Sequence, residues 1–314
     1  MNKITYFPGC SAHGTSEEFD HTLKLVMKTL DVQMEEIPDW NCCGATSAHV
    51  MTENLAIALP MRNLVLAEKL ENKTMGIACA SCYSRMKVTK KHLDENPNLA
   101  KKINSTIIDE GEYHGTIDVK SMLQYCFEEI GLETIKSKVT KSLAGLKVAC
   151  YYGCLLTRPK DVTHFDSPEY PMSMDLLMEA LGAKAVDFDY KTECCGASFS
   201  ISNTEVVESL SGKILEVAKE SGAHVIVVAC PLCQSNLDMR QPDIEKHTKT
   251  KINIPVMYFT QLMALAFGFP EKELKLPKHI VPVEEALKNI GKIEPEPEKI
   301  KKTKKAVEAE SEVV

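Results

Sequence analysis

Several features that would assign this chain to a common class of protein are missing from its sequence. No apolar run approaches the roughly 18–20 residues that a membrane-spanning helix needs. The chain opens with Met1-Asn2-Lys3 and enters a strand pattern, without the apolar segment of a secretory signal. Basic charge is also scarce, since the net charge of −7 contrasts with the basic stripe of nucleic-acid binders. We therefore expect a cytoplasmic protein with neither a membrane span nor a nucleic-acid partner.

Two common redox motifs are missing as well. No Gly-x-Gly-x-x-Gly follows a predicted strand, so the chain lacks the dinucleotide-binding fingerprint. The Cys-x-x-Cys-x-x-Cys-x-x-x-Cys run of bacterial ferredoxins is also absent. If the protein is a redox enzyme, its electrons must come from a partner.

Cysteine, in contrast, is abundant, with twelve residues in a chain of 314. Disulfides are rare in a reducing compartment, where clustered cysteines are typical of metal or redox ligands. Ten of the twelve form two sets with the same order: a single Cys, then Cys-Cys-Gly-Ala, then Cys-x-x-Cys. We name them the first set, Cys10, Cys42, Cys43, Cys79 and Cys82, and the second set, Cys154, Cys194, Cys195, Cys230 and Cys233.

The spacing within the two sets indicates a duplicated protein. The cysteine islands are separated by 31 and 35 residues in the first set and by 39 and 34 in the second. The longer first separation in the second set is assigned to an insertion in the turn-rich segment 163–171. We predict two modules, residues 1–145 and 146–291. Residues 292–314 are charged and contain two prolines, which predicts a flexible tail.

The two other cysteines do not belong to the repeated pattern. Cys150 aligns with Tyr6 of the first half and lies in a predicted strand, and Cys126 lies in a helical pattern without a counterpart. Free cysteine commonly acts as a small buried hydrophobic residue, which is the role expected for both.

Most cysteine islands follow a short apolar, β-branched run, typical of a buried strand in a parallel sheet. These runs are 3–7, 75–78, 147–152, 184–188 and 224–229, and helical patterns cover 16–30, 54–70 and 204–221. The predicted fold class is α/β, with two open parallel-sheet modules related by a pseudo-twofold axis. Ligands of such sheets bind beyond the carboxyl ends of the strands, so each set should converge there. Several cysteines should then lie at helix N-termini, which favour thiolates.

Five thiols per module exceed the number that a single tetrahedral ion binds. Zinc or an ordinary iron–sulfur cube takes four thiolates, leaving one cysteine over at the same repeat position in both halves. A larger or more open cluster that uses the fifth thiolate is the more economical interpretation. Zinc with a spare cysteine, and a redox dithiol at Cys-x-x-Cys, stay open at this point.

The repeated Cys…Cys-Cys-Gly…Cys-x-x-Cys module resembles the cysteine-rich CCG domain family, and the two-module arrangement resembles the B subunits of heterodisulfide reductases. The similarity covers about residues 1–270. It implies two noncubane 4Fe–4S clusters, one ligated by the first set and one by the second set. It also implies an oxidoreductase that reduces the mixed disulfide of coenzyme M and coenzyme B to two thiols in methanogenesis.

The resemblance further implies partners and a way of binding substrate. The partners are a small ferredoxin-like iron–sulfur subunit and a flavoprotein subunit, with a hydrogenase or formate dehydrogenase as a candidate electron source. The anionic substrate needs nearby cations, and no side chain is assigned as general acid because iron is expected to engage the substrate sulfur. The candidate substrate-binding residues, each close in sequence to a cysteine, are His13, His49, Arg85 and Arg158.

Two other functions remain compatible with these motifs. The first is the iron–sulfur subunit of another CCG-family oxidoreductase, of the 2-hydroxyacid or the fumarate/succinate type, although many of these carry a fused ferredoxin domain that is absent here. The second is a non-catalytic electron carrier or a zinc-stabilised scaffold.

Overall fold

The computed structural model describes residues 2–45, 48–107 and 110–292, which form two four-stranded parallel sheets. The first sheet consists of β1 (Asn2–Phe7), β2 (Val32–Glu36), β3 (Thr74–Ile77) and β4 (Asp118–Ser121), in the spatial order β2-β1-β3-β4. The second sheet consists of β5 (Lys147–Tyr151), β6 (Lys184–Ala185), β7 (Val225–Val228) and β8 (Val256–Tyr258), in the spatial order β6-β5-β7-β8. The identical order confirms the predicted α/β fold with duplicated modules.

Helices connect the strands and cover the sheets. In the first half they are α1 (Glu17–Thr29), α2 (Ala48–Met51), α3 (Glu53–Glu68), α4 (Ala80–Glu95), α5 (Pro97–Asn104), α6 (Met122–Tyr125) and α7 (Leu132–Ser137). In the second half they are α8 (Lys160–Thr163), α9 (Ser173–Ala180), α10 (Thr204–Glu220), α11 (Pro231–Gln234), α12 (Gln241–Thr248), α13 (Phe259–Ala266) and α14 (Glu284–Leu287). Two π-helical segments, Cys126–Ile130 and Ser235–Met239, directly follow α6 and α11.

The clearest sequence pattern, at 204–221, corresponds closely to α10. Val207, Ile214 and Leu215 recur at helical spacing and are buried, so the apolar stripe packs into the core. The helix begins after Asn203, whose side chain accepts a hydrogen bond from the Val206 N–H at 3.3 Å. This cap satisfies one of the free N–H groups of the first turn.

The sequence predicts the order strand–helix–strand–helix–strand in each half, with three strands, whereas each sheet has four. β4 and β8 are short strands at the sheet edges, and β4 alternates between exposed and buried residues, so neither has the long apolar run that marks a central strand. β6 is shorter than the predicted run 184–188. The chain leaves the sheet after Val186, whose N–H still donates to the Val148 carbonyl at 2.9 Å.

Pseudo-symmetric helix contacts join the two halves. α1 packs against α13, and α9, the counterpart of α1, packs against α6, as expected for a pseudo-twofold relation. The hydroxyls of Thr22 and Thr260 are hydrogen-bonded at 2.8 Å, and the ring of Phe19 stacks on Tyr258 at 4.4 Å. The buried hydrophobic side chains of both sheets therefore form one continuous core.

The predicted tail, residues 292–314, lies outside the described residues from 293 onward. The first sheet falls within residues 2–121 and the second within 147–258, while the module boundaries at 145 and 291 stay a prediction. No helix in the described part of the chain has both the length and the apolar composition needed to cross a bilayer.

Candidate metal centre

Both cysteine sets lie at the carboxyl edge of their sheet. Cys10 follows β1, the adjacent pair Cys42-Cys43 follows β2, and Cys79 follows β3. The second set follows β5, β6 and β7 in the same way. Because β1 and β5 have strands on both sides, the sheet order reverses next to them, and this is where open α/β sheets bind ligands.

The first set combines buried and exposed thiols. Cys43, Cys79 and Cys82 are buried, whereas Cys10 and Cys42 are exposed. The sulfur atoms of Cys43 and Cys82 are 3.1 Å apart. Two of the five thiols of this set are therefore accessible at the surface.

The second set has nearly the same arrangement. Cys195, Cys230 and Cys233 are buried, Cys154 is half-buried and Cys194 is exposed. The Cys195 and Cys233 sulfurs lie 3.8 Å apart, a pair equivalent to Cys43 and Cys82 of the first set. The duplication thus extends from the sheet order to the pairing of individual thiols.

The two sets meet each other inside the protein. The thiols of Cys79 and Cys230, which are equivalent in the duplicated sequence, lie close enough for each to shift the pKa of the other. Each thiol also interacts in this way with the second cysteine of its own Cys-x-x-Cys motif. Six buried thiols consequently form one continuous array, in the order Cys43, Cys82, Cys79, Cys230, Cys233 and Cys195.

The glycine of each Cys-Cys-Gly motif has a defined structural role. The N–H of Gly44 donates to the Cys42 sulfur at 3.4 Å, and the N–H of Gly196 donates to the Cys194 sulfur at 3.3 Å. Both glycines have a positive φ, +74° and +79°, which residues with a side chain rarely adopt. The motif therefore presents a main-chain donor to the sulfur two residues earlier.

Two Cys-x-x-Cys motifs begin helices, as predicted. Cys79 is the N-cap residue of α4 and Cys230 that of α11, so Cys82 and Cys233 lie in the first turn. The free N–H groups and the dipole of a helix N-terminus stabilise negative charge there. This placement suits thiolate ligands.

Hydrogen bonds between neighbouring thiols favour one thiolate over another. The pKa of Cys43 is lowered to about 4. The largest cause is a hydrogen bond from Cys42, and the next is one from Cys82. A hydrogen bond with Cys154 and the N–H groups of Gly196 and Ala197 lower the pKa of Cys194 to about 6. Metals bind the thiolate form of cysteine, and each set contains a thiol whose thiolate form is favoured in this way.

The donor set fits an iron–sulfur group better than a hard cation. All ten of these side chains offer soft sulfur, which suits zinc, copper(I) or iron–sulfur clusters. Within the described ranges, no three His, Cys, Asp or Glu side chains already surround the position of a single ion. The thiols instead form hydrogen-bonded pairs and a shared array.

A cavity of about 680 Å³ lies against the second set, between the two halves. Its wall includes all five cysteines of the second set. It also includes residues of α4 from the first half, among them Ser81 and Arg85. Arg85 is the only cationic side chain among the described lining residues, and most of the others are small, apolar or hydroxyl-bearing. The cavity offers a mostly apolar volume with one cation beside the second set.

Different contacts hold the adjacent cysteine pair in each half. In the first half, Asn63 accepts from the N–H of Asn41 at 2.9 Å and donates to its carbonyl at 2.9 Å. In the second half, Ser211 and Asn236 both donate to the Cys195 carbonyl, at 3.0 and 3.1 Å. No sequence pattern marked these residues. Asn63 and Ser211 lie far from the cysteine motifs, and the position equivalent to Asn236 in the first half is not an asparagine.

A buried ion pair supports the second set. The Lys191 ammonium lies 2.6 Å from Asp175, and both side chains are almost fully buried. Asp175 also accepts a hydrogen bond from the Tyr152 hydroxyl at 2.7 Å. The Lys191 carbonyl accepts the N–H groups of Tyr152 and Gly153, so it fixes the loop that leads into Cys154.

The structure separates the four candidate substrate-binding residues. Arg85 lines the cavity. His13 is exposed, stacks on Trp40 at 5.8 Å and lies 3.5 Å from Glu36. Arg158 donates to the Pro168 carbonyl, Glu169 and Thr192, and neither it nor His13 is among the described lining residues. The side chain of His49 lies outside what the structure describes.

The remaining cysteines have the surroundings expected of buried hydrophobic residues. Cys150 lies on β5 and Cys126 at the start of a π-helical segment, and both are fully buried. Burial raises the pKa of Cys126 to about 12. Both thiols are therefore disfavoured as metal-binding thiolates.

The duplicated parallel fold, with five thiols at the carboxyl edge of each sheet, defines a cysteine-rich protein of two repeated modules. The family of the cysteine-rich domain designated CCG matches residues 4–87 and 148–238. These two stretches contain all ten cysteines of the two sets. The chain belongs to the cysteine-rich CCG domain family.

Full-length relatives are similar over most of the chain. The 8-methylmenaquinol:fumarate reductase membrane anchor subunit of Wolinella succinogenes is 34% identical, over 90% of this chain and 98% of that protein. The B subunit of the ferredoxin/F420H2-dependent CoB-CoM heterodisulfide reductase of Methanosarcina acetivorans is 32% identical, over 93% of this chain and 98% of that protein. Both are named as subunits of reductases.

A solved structure supports the fold. A hypothetical protein from Helicobacter pylori superimposes with a TM-score of 0.71 and 13% sequence identity over 89% of this chain. This chain spans 52% of that protein's length. At this identity the similarity concerns the fold alone.

Proposed function

We propose that this chain is the catalytic iron–sulfur subunit of a heterodisulfide reductase, which reduces the mixed disulfide of coenzyme M and coenzyme B to two thiols. The observation that carries the proposal is the close approach of two complete five-cysteine sets, together with a cavity between the halves that lies against the second set. The names of the Methanosarcina relatives support the choice of reaction. We refer to this as the reductase proposal.

The proposed cofactors are two noncubane 4Fe–4S clusters. The first set would hold one and the second set the other, with five thiolates each. Sulfur-only donors, main-chain N–H groups directed at Cys42 and Cys194, and helix N-termini at both Cys-x-x-Cys motifs support this assignment. Bound there, the clusters would supply the two electrons that cleave a disulfide.

The residues around the cavity would bind and orient the substrate. Arg85 is well placed to bind an anionic group, since its Nε is buried without a hydrogen-bond partner among the described residues. The hydroxyls of Ser81 and Ser84 lie on the same wall, and the apolar remainder would exclude water. His13, His49 and Arg158 stay candidates for contacts with anionic groups outside the cavity.

The proposed reaction needs other subunits. Cleavage consumes two electrons and two protons per disulfide, and the described motifs of this chain include none for hydride transfer. We propose a ferredoxin-like iron–sulfur subunit and a flavoprotein subunit as the partners, supplied by a hydrogenase or formate dehydrogenase. The relatives' names, which identify them as subunits, support a multisubunit assembly.

Metal analysis tests the cofactor assignment. Protein purified without oxygen should contain about eight irons and eight acid-labile sulfides per chain if each set holds a four-iron cluster. Cys195→Ala should lose the iron of one cluster, whereas Cys126→Ala, matched as a buried thiol outside both sets, should keep all of it. Two zinc ions per chain, or equal iron in the two variants, would contradict the assignment.

Turnover tests the reaction. Reduced protein should cleave the coenzyme M–coenzyme B disulfide, and adding that disulfide should alter the electron paramagnetic resonance spectrum of a cluster. A spectrum unchanged by the disulfide, with clusters fully loaded, would favour an electron carrier. A stable mixed disulfide between substrate and a protein cysteine would instead indicate dithiol chemistry.

A second candidate is an iron–sulfur subunit of a quinol-linked fumarate reductase. The name of the Wolinella relative supports it, and so do two exposed apolar residues of the cavity wall, Val50 and Ile201. A lipophilic quinol would suit such a wall. Reduction of the clusters by a short-chain menaquinol, without cleavage of the heterodisulfide, would favour this candidate over the reductase proposal.

A further inference from the structure

Arg85 and Asn236 occupy the same place in the two halves but have different surroundings. Each lies three residues after the last cysteine of its set, Cys82 or Cys233. Arg85 lies within α4, a continuous helix, whereas Asn236 lies in the π-helical segment that interrupts the corresponding helix. π-Helical insertions occur often at functional sites because they redirect side chains.

The orientation of the Asn236 amide is fixed by its neighbours. Asn236 is 2% exposed, and its Oδ1 lies 3.3 Å from Arg240 Nε and 3.0 Å from Ser200 Oγ. Since an arginine nitrogen can only donate, it identifies this amide atom as the oxygen. The NH₂ group must therefore face the other way, toward Cys195.

This NH₂ group contacts two atoms of Cys195. Asn236 Nδ2 lies 3.1 Å from the Cys195 carbonyl oxygen and 3.6 Å from its sulfur. The carbonyl has a second donor, Ser211 Oγ, at 3.0 Å. Asn236 thus differs from Ser211 in that it also reaches the sulfur atom.

We propose that Asn236 is a positioning residue that donates an N–H···S hydrogen bond to the Cys195 thiolate and raises the reduction potential of the cluster held by the second set. This inference rests on the cofactor part of the reductase proposal. Each added electron increases the negative charge on the cluster and its thiolates. A hydrogen bond to a thiolate therefore stabilises the reduced state more than the oxidised state, and such bonds are among the factors that set cluster potentials.

The counterpart residue has a different role in the first half. Arg85 Nη2 donates to the Ala56 carbonyl at 2.7 Å, and its side chain lines the cavity. Two sets with matching cysteines thus differ in the contacts made from the same repeat position. The two clusters are accordingly inequivalent, and the second owes part of its potential to a neutral amide.

Redox titration of the loaded full chain, followed by electron paramagnetic resonance, tests the proposal. Cys43→Ser and Cys195→Ser variants assign the signals to the two sets. Asn236→Leu keeps the volume and removes the donor, and Asn236→Asp keeps an acceptor for Arg240 and Ser200 while directing an oxygen at the sulfur. Ser211→Ala is the matched control, since it removes a hydrogen bond to the same carbonyl but not to the sulfur.

Both Asn236 variants should shift the potential of the second cluster to more negative values and leave the first unchanged, while Ser211→Ala shifts neither. Unchanged potentials in the Asn236 variants, or an equal shift in Ser211→Ala, would overturn the inference. Loss of the second cluster from both Asn236 variants, with Ser211→Ala fully loaded, would also overturn it by indicating an assembly role. Absence of iron from the unmodified chain would instead contradict the reductase proposal itself.

Discussion

Cys79 and Cys230, equivalent residues of the two halves, lie close enough for each thiol to shift the pKa of the other. Equivalent residues of a duplicated protein can touch only where the pseudo-twofold axis passes between them. The axis therefore passes through the array of six buried thiols. The two cysteine sets are therefore immediate neighbours at their Cys-x-x-Cys motifs.

Arg85 should determine the affinity for an anionic substrate. Arg85→Gln removes the only cationic side chain among the described residues that line the cavity. A hydrogen bond to a charged group is worth about 1.5–3 kcal/mol, so KM for the heterodisulfide should rise about tenfold or more, with kcat changing less. Steady-state kinetics at varied concentrations of the heterodisulfide measure this effect.

Lys87→Gln is the control for Arg85, since Lys87 lies on the same helix and is not among the described lining residues of the cavity. It should leave KM unchanged. If Arg85→Gln altered the spectrum of the first cluster while KM stayed constant, Arg85 would serve the cluster and not the substrate.

Gly44 should tolerate no side chain. A Cβ at this position would lie 2.7 Å from the Cβ of Ala48, and φ is +74°. The left-handed conformation alone costs roughly 1–2 kcal/mol for a residue with a side chain. Gly44→Ala should therefore lower the unfolding free energy by at least that amount and reduce the iron bound by the first set.

Gly14→Ala provides the comparison for Gly44, because a Cβ at Gly14 would meet no atom of the described residues within 4 Å. Urea unfolding and iron content, measured for both variants, should separate them. Equal effects of the two substitutions would mean that the Cys-Cys-Gly turn does not need glycine.

The hydroxyls of Thr22 and Thr260 should couple the two halves. They are buried and 2.8 Å apart, and the Thr22 hydroxyl also donates a hydrogen bond to the Glu18 carbonyl oxygen at 2.7 Å. Each Thr→Val change leaves the partner hydroxyl with one contact fewer, so each single variant should lose about 1–2 kcal/mol of unfolding free energy. The double variant should lose less than the sum, by about 1 kcal/mol. Strict additivity in urea unfolding would show that the bond makes no net contribution.

His279 should make the protein less stable in acid. Its side chain is fully buried, and burial lowers its pKa to about 4, against weaker opposing effects of a Val256 main-chain hydrogen bond and Glu284. Asp238 lies 4.0 Å away, but its carboxylate already accepts the N–H groups of Ile280 and Val281.

The sign of the effect follows from the lowered pKa of His279. Above about pH 6.5 both folded and unfolded states hold the imidazole neutral, and between 6.5 and about 4 only the unfolded state binds the proton. Unfolding free energy should fall by about 3 kcal/mol across this window. His279→Gln should remove that slope, whereas His92→Gln, at an exposed site, should retain it. A slope unchanged in His279→Gln would assign the acid sensitivity to another group.

The ten cysteines of the two sets, the duplication and the parallel α/β fold were all accessible from the sequence. Cysteine spacing, short apolar runs and helical periodicity are local properties of the sequence. In a duplicated chain each of these patterns occurs twice. Only the tertiary structure decided that Cys79 meets Cys230, that Arg85 lines the cavity, and that Asn236 reaches the Cys195 sulfur. These contacts depend on how two sheets pack and on one π-helical segment, which the order of residues along either module does not specify.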